Sequence, residues 1–257
     1  MKRLIALLLA ALIILGTAGA LAETWTCPNC GRTDNDGAFC PGCGTAKPGT
    51  TNLQPGDYVY LGHWEQNDYT GDGADPIRWI VIQVDGSKLF LLSEKALANL
   101  PFNKKSDGTS WAASTLRQWL NYDFYTGAFN AQEAAAILTT QVEDNADHTY
   151  YEWNTASRFS GTTQDKVFCL SYLEARTLLT PQMACCEPSA VTSKSKNKIL
   201  VEKNNGRAYC YWWLRTSVYK NNAGCVSPAA SFSNAYEHFH RLCVRPALWV
   251  DASAVTQ

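Results

Sequence analysis

The sequence predicts an α+β protein: a small cysteine knuckle joined to a loop-rich mixed domain. Three observations carry this. Strand-like apolar runs stand near both ends of the large domain, Trp79 to Val84 with Leu89 to Leu92 early and Cys243 to Val250 late. Segments with helix-start signals lie between them. Two Cys-x2-Cys pairs precede everything else. The chain of 257 residues is long enough to bury a core without disulfides replacing it. At 46% hydrophobic and 18% charged residues, wholesale disorder is excluded. A formal net charge of -1 gives no basic excess for nucleic acid.

The first 22 residues read as an address. Lys2 and Arg3 precede an unbroken apolar run from Leu4 to Leu15, Gly16 interrupts it, and Ala20-Leu21-Ala22 supplies a small-residue cleavage pattern. This is the layout of a secretory signal peptide cut before Glu23, with an uncleaved anchor as the alternative. The expectation is a secreted or extracytoplasmic protein of the cell envelope, with no membrane span after cleavage. Residues 23–47 form the knuckle, 48–55 a Pro/Gly/Thr-rich linker, 56–251 the main domain and 252–257 a tail.

Cys27 and Cys30 are followed, after nine intervening residues, by Cys40 and Cys43, each pair in a Cys-Pro-x-Cys-Gly setting. Two residues between cysteines let one tight turn aim both sulfurs at one ion, and two such turns close a tetrahedral site. This segment resembles the short zinc ribbons. The expected cofactor is structural zinc, because four cysteine ligands leave no open coordination position. Disulfides are the alternative in an oxidising compartment.

The main domain begins with a strand at Tyr58 to Trp64. The two early apolar runs then form a hairpin around Asp85-Gly86. Leu116, Trp119 and Leu120 share one helical face behind Ser114 and Thr115. Asn130 with Glu133 caps a second helix, striped by Ala134, Ile137 and Leu138. Ser171 with Glu174 makes a capping box for a third, with Ala175, Leu178 and Leu179 inward and Pro181 past its end. Residues 143–163 read as a long loop anchored at Trp153, and 189–207 as a solvated excursion carrying Lys194, Lys196, Lys198 and Lys203. Aromatic-rich Tyr209 to Arg215 and the closing Cys243 to Val250 return to strand.

Five of these segments are familiar as a set: Pro76-Ile-Arg-Trp-Ile-Val81, Ser114-Thr-Leu-Arg-Gln-Trp-Leu-Asn121, Asp165-Lys-Val-Phe168, Trp212-Trp-Leu-Arg215 and Val244-Arg-Pro-Ala-Leu-Trp249. Together they resemble an uncharacterised bacterial domain family, often exported and often placed behind short zinc ribbons. The likeness covers about residues 55–251. The late part is similar to the formylglycine-generating-enzyme and C-type-lectin-like superfamily, which implies a C-type-lectin-like domain with its termini close together. Two departures matter. The nearest piece to the Glu-Pro-Asn of calcium-dependent lectins is Glu187-Pro188-Ser189, and no Trp-Asn-Asp exists. Cys225 and Cys243 are separated by 17 residues, so the close copper-binding pair of the oxidases is not recovered.

Outside the knuckle the candidates are weaker. His238-x-His240 beside Glu237 could hold a metal if it lay on a strand, though a loop edge is the plainer reading. Asp68, Asp72 and Asp75 lack EF-hand spacing and read as a polar turn. Arg215 and Arg245 sit in apolar strands and need carboxylate or carbonyl partners. Trp212 and Trp213 should face opposite sides of a strand, one in the core and the other a platform for a sugar or peptide. Trp213, Tyr236, His238 and His240 are therefore the expected ligand-binding residues. Six further cysteines allow up to three bridges, Cys225 to Cys243 being the favoured one. No nucleophile elbow, His-Glu-x-x-His, phosphate loop or dinucleotide fingerprint occurs.

The reading that follows is an exported, non-catalytic binding or interaction module whose ligand is a glycan, a peptide or a partner protein. Two alternatives stand beside it. One is an enzyme of the formylglycine-generating, sulfatase-modifying type; the other is a purely structural cell-envelope protein.

Overall fold

A computed structural model describes residues 24–27, 29–35, 40–43, 52–67, 69, 71–143, 161–218 and 221–257. The signal segment 1–22, Asp68 and the loop anchor Trp153 lie outside the described residues. The chain divides into two compact units, residues 1–50 and 51–257.

The large unit is mixed and sheet-rich. Its principal sheet is antiparallel, in the order β1 (Tyr58–Trp64), β2 (Asp75–Asp85), β3 (Lys88–Ser93) and β11 (Ala247–Asp251). The β2–β3 hairpin turns on Gly86 and Ser87, one residue later than the Asp85-Gly86 expected. Gly86, at φ 59°, supplies the left-handed conformation that a two-residue turn requires. A bulge between Tyr60 and His63 bends β1. At its centre Gly62 has φ 71°, and a Cβ there would lie 2.6 Å from the Phe129 ring. Only glycine fits that position.

Helices occupy the middle of the chain. Ser114 caps α1 (Thr115–Trp119) by accepting from the Arg117 amide, and a π-helical turn at Leu120–Phe124 leads into α2 (Tyr125–Ala128). Asn130 and Glu133 form a full capping box on α3 (Ala131–Ala136), as do Ser171 and Glu174 on α4 (Tyr172–Leu178). Pro181, expected beyond the end of α4, opens the next short helix, α5 (Pro181–Ala184). Between α3 and α4 a small ribbon pairs β4 (Thr140–Glu143) with β5 (Thr162–Asp165).

The stretch expected to be a solvated excursion is more ordered than its composition implies. It holds α6 (Ala190–Ser193), capped by Ser189, and a hairpin of β6 (Val201–Asn204) with β7 (Arg207–Cys210). Ser189, Thr192 and Ile199 are buried, which anchors it. A second antiparallel sheet follows, β8 (Trp212–Ser217), β9 (Asn222–Val226) and β10 (Phe232–Tyr236), in the order β10-β9-β8.

Single bridges tie these pieces to the closing strand. Trp212 pairs with Cys243, Ala98 with Val244, Phe168 with Ala247 and Ile137 with Val250. One continuous core results, centred on Trp79, Trp111, Trp212, Trp213 and Phe168. Each of those tryptophans donates its indole N–H, to Leu61 O, Asp165 Oδ2, Ala184 O and Leu100 O respectively.

Both expected ends of the domain are corrected. Leu53, placed in the linker by composition, is buried in the core. The segment 252–257 is no loose tail: Tyr60 and Thr256 exchange backbone hydrogen bonds of 2.7 and 3.2 Å, and Val255 packs on the core. An apolar side chain with space to bury overrides a polar local composition. Among the described residues no helix is long and apolar enough to cross a membrane.

Candidate metal centre and binding groove

The four knuckle cysteines converge. Their sulfurs all lie within 4.8 Å of one another, with Cys27 to Cys43 and Cys30 to Cys40 each at 3.5 Å. A disulfide needs about 2.05 Å, whereas four sulfurs at about 2.3 Å around one tetrahedral ion stand about 3.8 Å apart. Local geometry explains the convergence. Gly31 N–H donates to Cys27 O at 2.9 Å, and Gly31, at φ 72°, reverses the chain so that Cys27 N–H reaches Arg32 O at 2.8 Å. The Asn35 side chain donates to Trp25 O and Arg32 O, pinning the turn. Trp25, Cys27 and Cys40 form a small buried cluster behind it.

The donor set fits a thiophilic cation. Cys30 is held by the Arg32 backbone, which by itself favours the thiolate, yet the crowding thiols of Cys43, Cys40 and Cys27 push it up to about 12. A cation that takes the place of the thiol proton relieves this crowding at Cys30. The four cysteines can hold a metal ion and are compatible with zinc.

The other expected site residues do not gather. Trp213 is fully buried, with its ring against Phe102 at 6.0 Å, so it offers no platform. Both faces of β8 are covered, and the alternation that separates Trp212 from Trp213 sends both into core. Tyr236 and His238 are exposed, with ring centroids 5.9 Å apart, and His240 is exposed beyond them. The two histidines lie in the turn after β10, not on a strand. Glu237, just before His238, points inward and is buried, and its Oε2 has no hydrogen-bond partner among the described residues. Burial holds its carboxyl above the ordinary range. Asp75 is the polar turn expected, accepting from the Asn67 and Gln66 amides, which lower its pKa.

The arginines are structural forks. Arg215 pairs with both oxygens of Glu174, at 2.5 and 2.8 Å, and donates to Cys169 O and Glu143 O. Arg245 donates to Ser93 O and Met183 O. Likewise Arg117 and Trp111 bond the buried Asp165, and Asn121 bonds Val167 O. Of the five familiar segments, 114–121 is thus bonded directly to 165–168, and Phe168 pairs with Ala247 of the closing one.

The favoured bridge between Cys225 and Cys243 is corrected. Cys225 pairs with Trp213 on one side of β8, and Cys243 bridges Trp212 on the other. Two strand spacings, about 10 Å, separate them, beyond what a disulfide or a shared copper ion spans. Among the described residues no two of the six cysteines of the large unit are joined in this structure.

What residue-by-residue reading missed is a groove on the outer face of the principal sheet. One cleft, of about 360 Å³, is lined by Tyr58, Glu94, Lys95, Glu187, Arg207 and Tyr209, among others. A second, of about 400 Å³, is lined by Tyr60, Gln66, Asn67, Asp75, Arg78 and again Glu94 and Lys95. Glu94 and Lys95 are common to both. Tyr58 and Tyr60 stand exposed at alternate positions of β1, and the Arg78 guanidinium lies 3.8 Å over the Tyr58 ring while pairing with Glu94 at 2.9 Å. The signal was present in the sequence as Tyr58-x-Tyr60 facing away from Val59 and Leu61.

No curated protein and no solved structure matches the chain, so the wider likeness to the formylglycine-generating and C-type-lectin-like superfamily gains no support from them. A family model does match, over residues 86–252, more than half of the chain. Its span takes in four of the five recurrent segments, both capping boxes and the Glu94, Lys95, Glu187 and Arg207 side of the groove. The chain belongs to this family, a domain of unknown function designated DUF6273.

Proposed function

We propose that the protein is an exported, non-catalytic binding module, with the cysteine knuckle as a zinc-stabilised appendage and the groove on the principal sheet as the ligand site. The ligand class that fits best is a glycan. The observation that carries this is the joined pair of clefts beside Tyr58 and Tyr60. The exposed Tyr60 ring offers an apolar face to a sugar ring, and the amides and charged groups of Gln66, Asn67, Asp75, Glu94 and Lys95 match hydroxyls. Positive and negative groups alternate along the groove, and two of them are paired as Arg78–Glu94 and Arg207–Glu187. That balance suits a neutral ligand over a polyanion. A closed four-sulfur zinc site has no vacancy for chemistry, which supports a scaffold role.

The test is calorimetric titration of the mature protein with a panel of soluble neutral polysaccharides, and with an unrelated extended peptide. Tyr60→Ala and Arg78→Ala should each weaken polysaccharide binding at least about tenfold, or ~1.4 kcal/mol, while Tyr236→Ala leaves it unchanged. Binding of the peptide alone overturns the glycan reading. Turnover of a substrate, abolished by one substitution, overturns the non-catalytic one.

A further inference from the structure

Beneath one wall of the groove lie three buried thiols. The Cys210 backbone N–H donates to Cys186 O at 2.8 Å, so the two residues are hydrogen-bonded neighbours on adjacent segments. The Cys186 side chain interacts with that of Cys210, and Cys210 also with Cys243. All three residues are almost completely buried. Extended chains alternate their side chains. Cys185 and Glu187, flanking Cys186, line the groove, as does Tyr209 beside Cys210. Cys186 and Cys210 therefore point away from the groove and toward each other.

We propose that Cys186 and Cys210 form a disulfide that staples the groove wall and closes off the polar segment between them. Residues joined by a backbone hydrogen bond between adjacent extended segments have Cα atoms about 5.5 Å apart, within the range a disulfide spans. The chemistry is thiol–disulfide exchange. Each cysteine gives up one proton and one electron, and a disulfide oxidant takes both and leaves as two thiols. Cys210 has one sulfur, so a bond to Cys186 leaves Cys243 a thiol. Burial raises the Cys186 thiol well above its ordinary range, so exchange is slow once the fold has closed, and the bond is made during folding.

The experiment refolds the mature protein with zinc in a mixture of oxidised and reduced glutathione, alkylates it in denaturant and maps the peptides. Cleavage after Arg207 and Arg215 isolates Cys210 from every other cysteine. The expected result is a Cys210 peptide joined to the one holding Cys185 and Cys186. The joined pair persists in Cys185→Ser and Cys243→Ser and is lost in Cys186→Ser. Reductant should lower the melting temperature of the oxidised protein by about 6–12 °C. Recovery of Cys186 and Cys210 alkylated, after denaturation of the refolded wild-type protein, overturns the proposal, as does recovery of Cys210 joined to Cys243. Both readouts are made on the wild-type chain, so they hold even where a serine variant does not fold.

Discussion

Among its described residues the knuckle buries three apolar side chains, Trp25, Cys27 and Cys40. The large unit buries a continuous cluster from Leu53 to Val250 that includes four tryptophans. The first has too little apolar surface to offset the entropy of ordering its turns, so its fold depends on what its sulfurs bind. The second carries its own core, within which Arg215 and Asp165 find their partners. The contrast separates a unit whose sequence motif is its structure from one whose motifs act only once assembled.

The largest effect that could break this contrast is metal removal. With zinc as the ion, chelation or Cys40→Ser should unfold the knuckle, because apparent binding of about 10–16 kcal/mol is also its folding energy. The thermal transition of the large unit should stay in place. Amide dispersion by NMR, read separately for residues 24–43 and for the core, checks both. A knuckle that stays folded without metal removes the distinction.

Next in size is Glu174→Ala. It leaves the buried Arg215 guanidinium without its carboxylate and opens the capping box of α4, costing the large unit about 3 kcal/mol. Urea unfolding measures the loss, and metal affinity at the knuckle should not change. Glu133→Ala should cost less, about 1–2 kcal/mol, because its partners are the neutral amides of Asn130 and Gly62.

The smallest effect is in pH. Burial raises the Glu237 carboxyl from its ordinary 4.5. A raised folded value means stability that is present at low pH and lost as pH rises through that value. Glu237→Gln should flatten this decline and gain about 1 kcal/mol or less near neutral pH. The knuckle has the opposite slope, since its ligands must shed protons to bind metal. Metal binding and urea midpoints, both followed across pH 4–8, should therefore move in opposite directions.

How much was legible follows the same division. The knuckle could be read directly, because ligand spacing within one short segment fixes geometry through local turns. Strands β1 to β3 and both capping boxes were legible for a similar reason, since their signals span a few residues. Trp213 was misread because alternation says that two neighbours face opposite ways, not that either face is open. The Cys225–Cys243 expectation failed because strand order decides which cysteines are neighbours. The groove was missed because its lining comes from separate segments: β1, β2, the turn after β3, and the edge of β7.

By itself, then, the sequence determined the four-sulfur knuckle, the mixed class and the helix starts. Each is an interaction among residues a few positions apart, where chain geometry leaves little choice. Tertiary structure alone decided the second use of the same groups. Glu174 and Glu133 announce themselves as N3 residues of capping boxes, yet one also clamps Arg215 and the other also holds the Gly62 amide. A carboxylate has two oxygens and room for several donors. Its local partner is written in the spacing, and its distant one depends on which strand the packed core brings alongside.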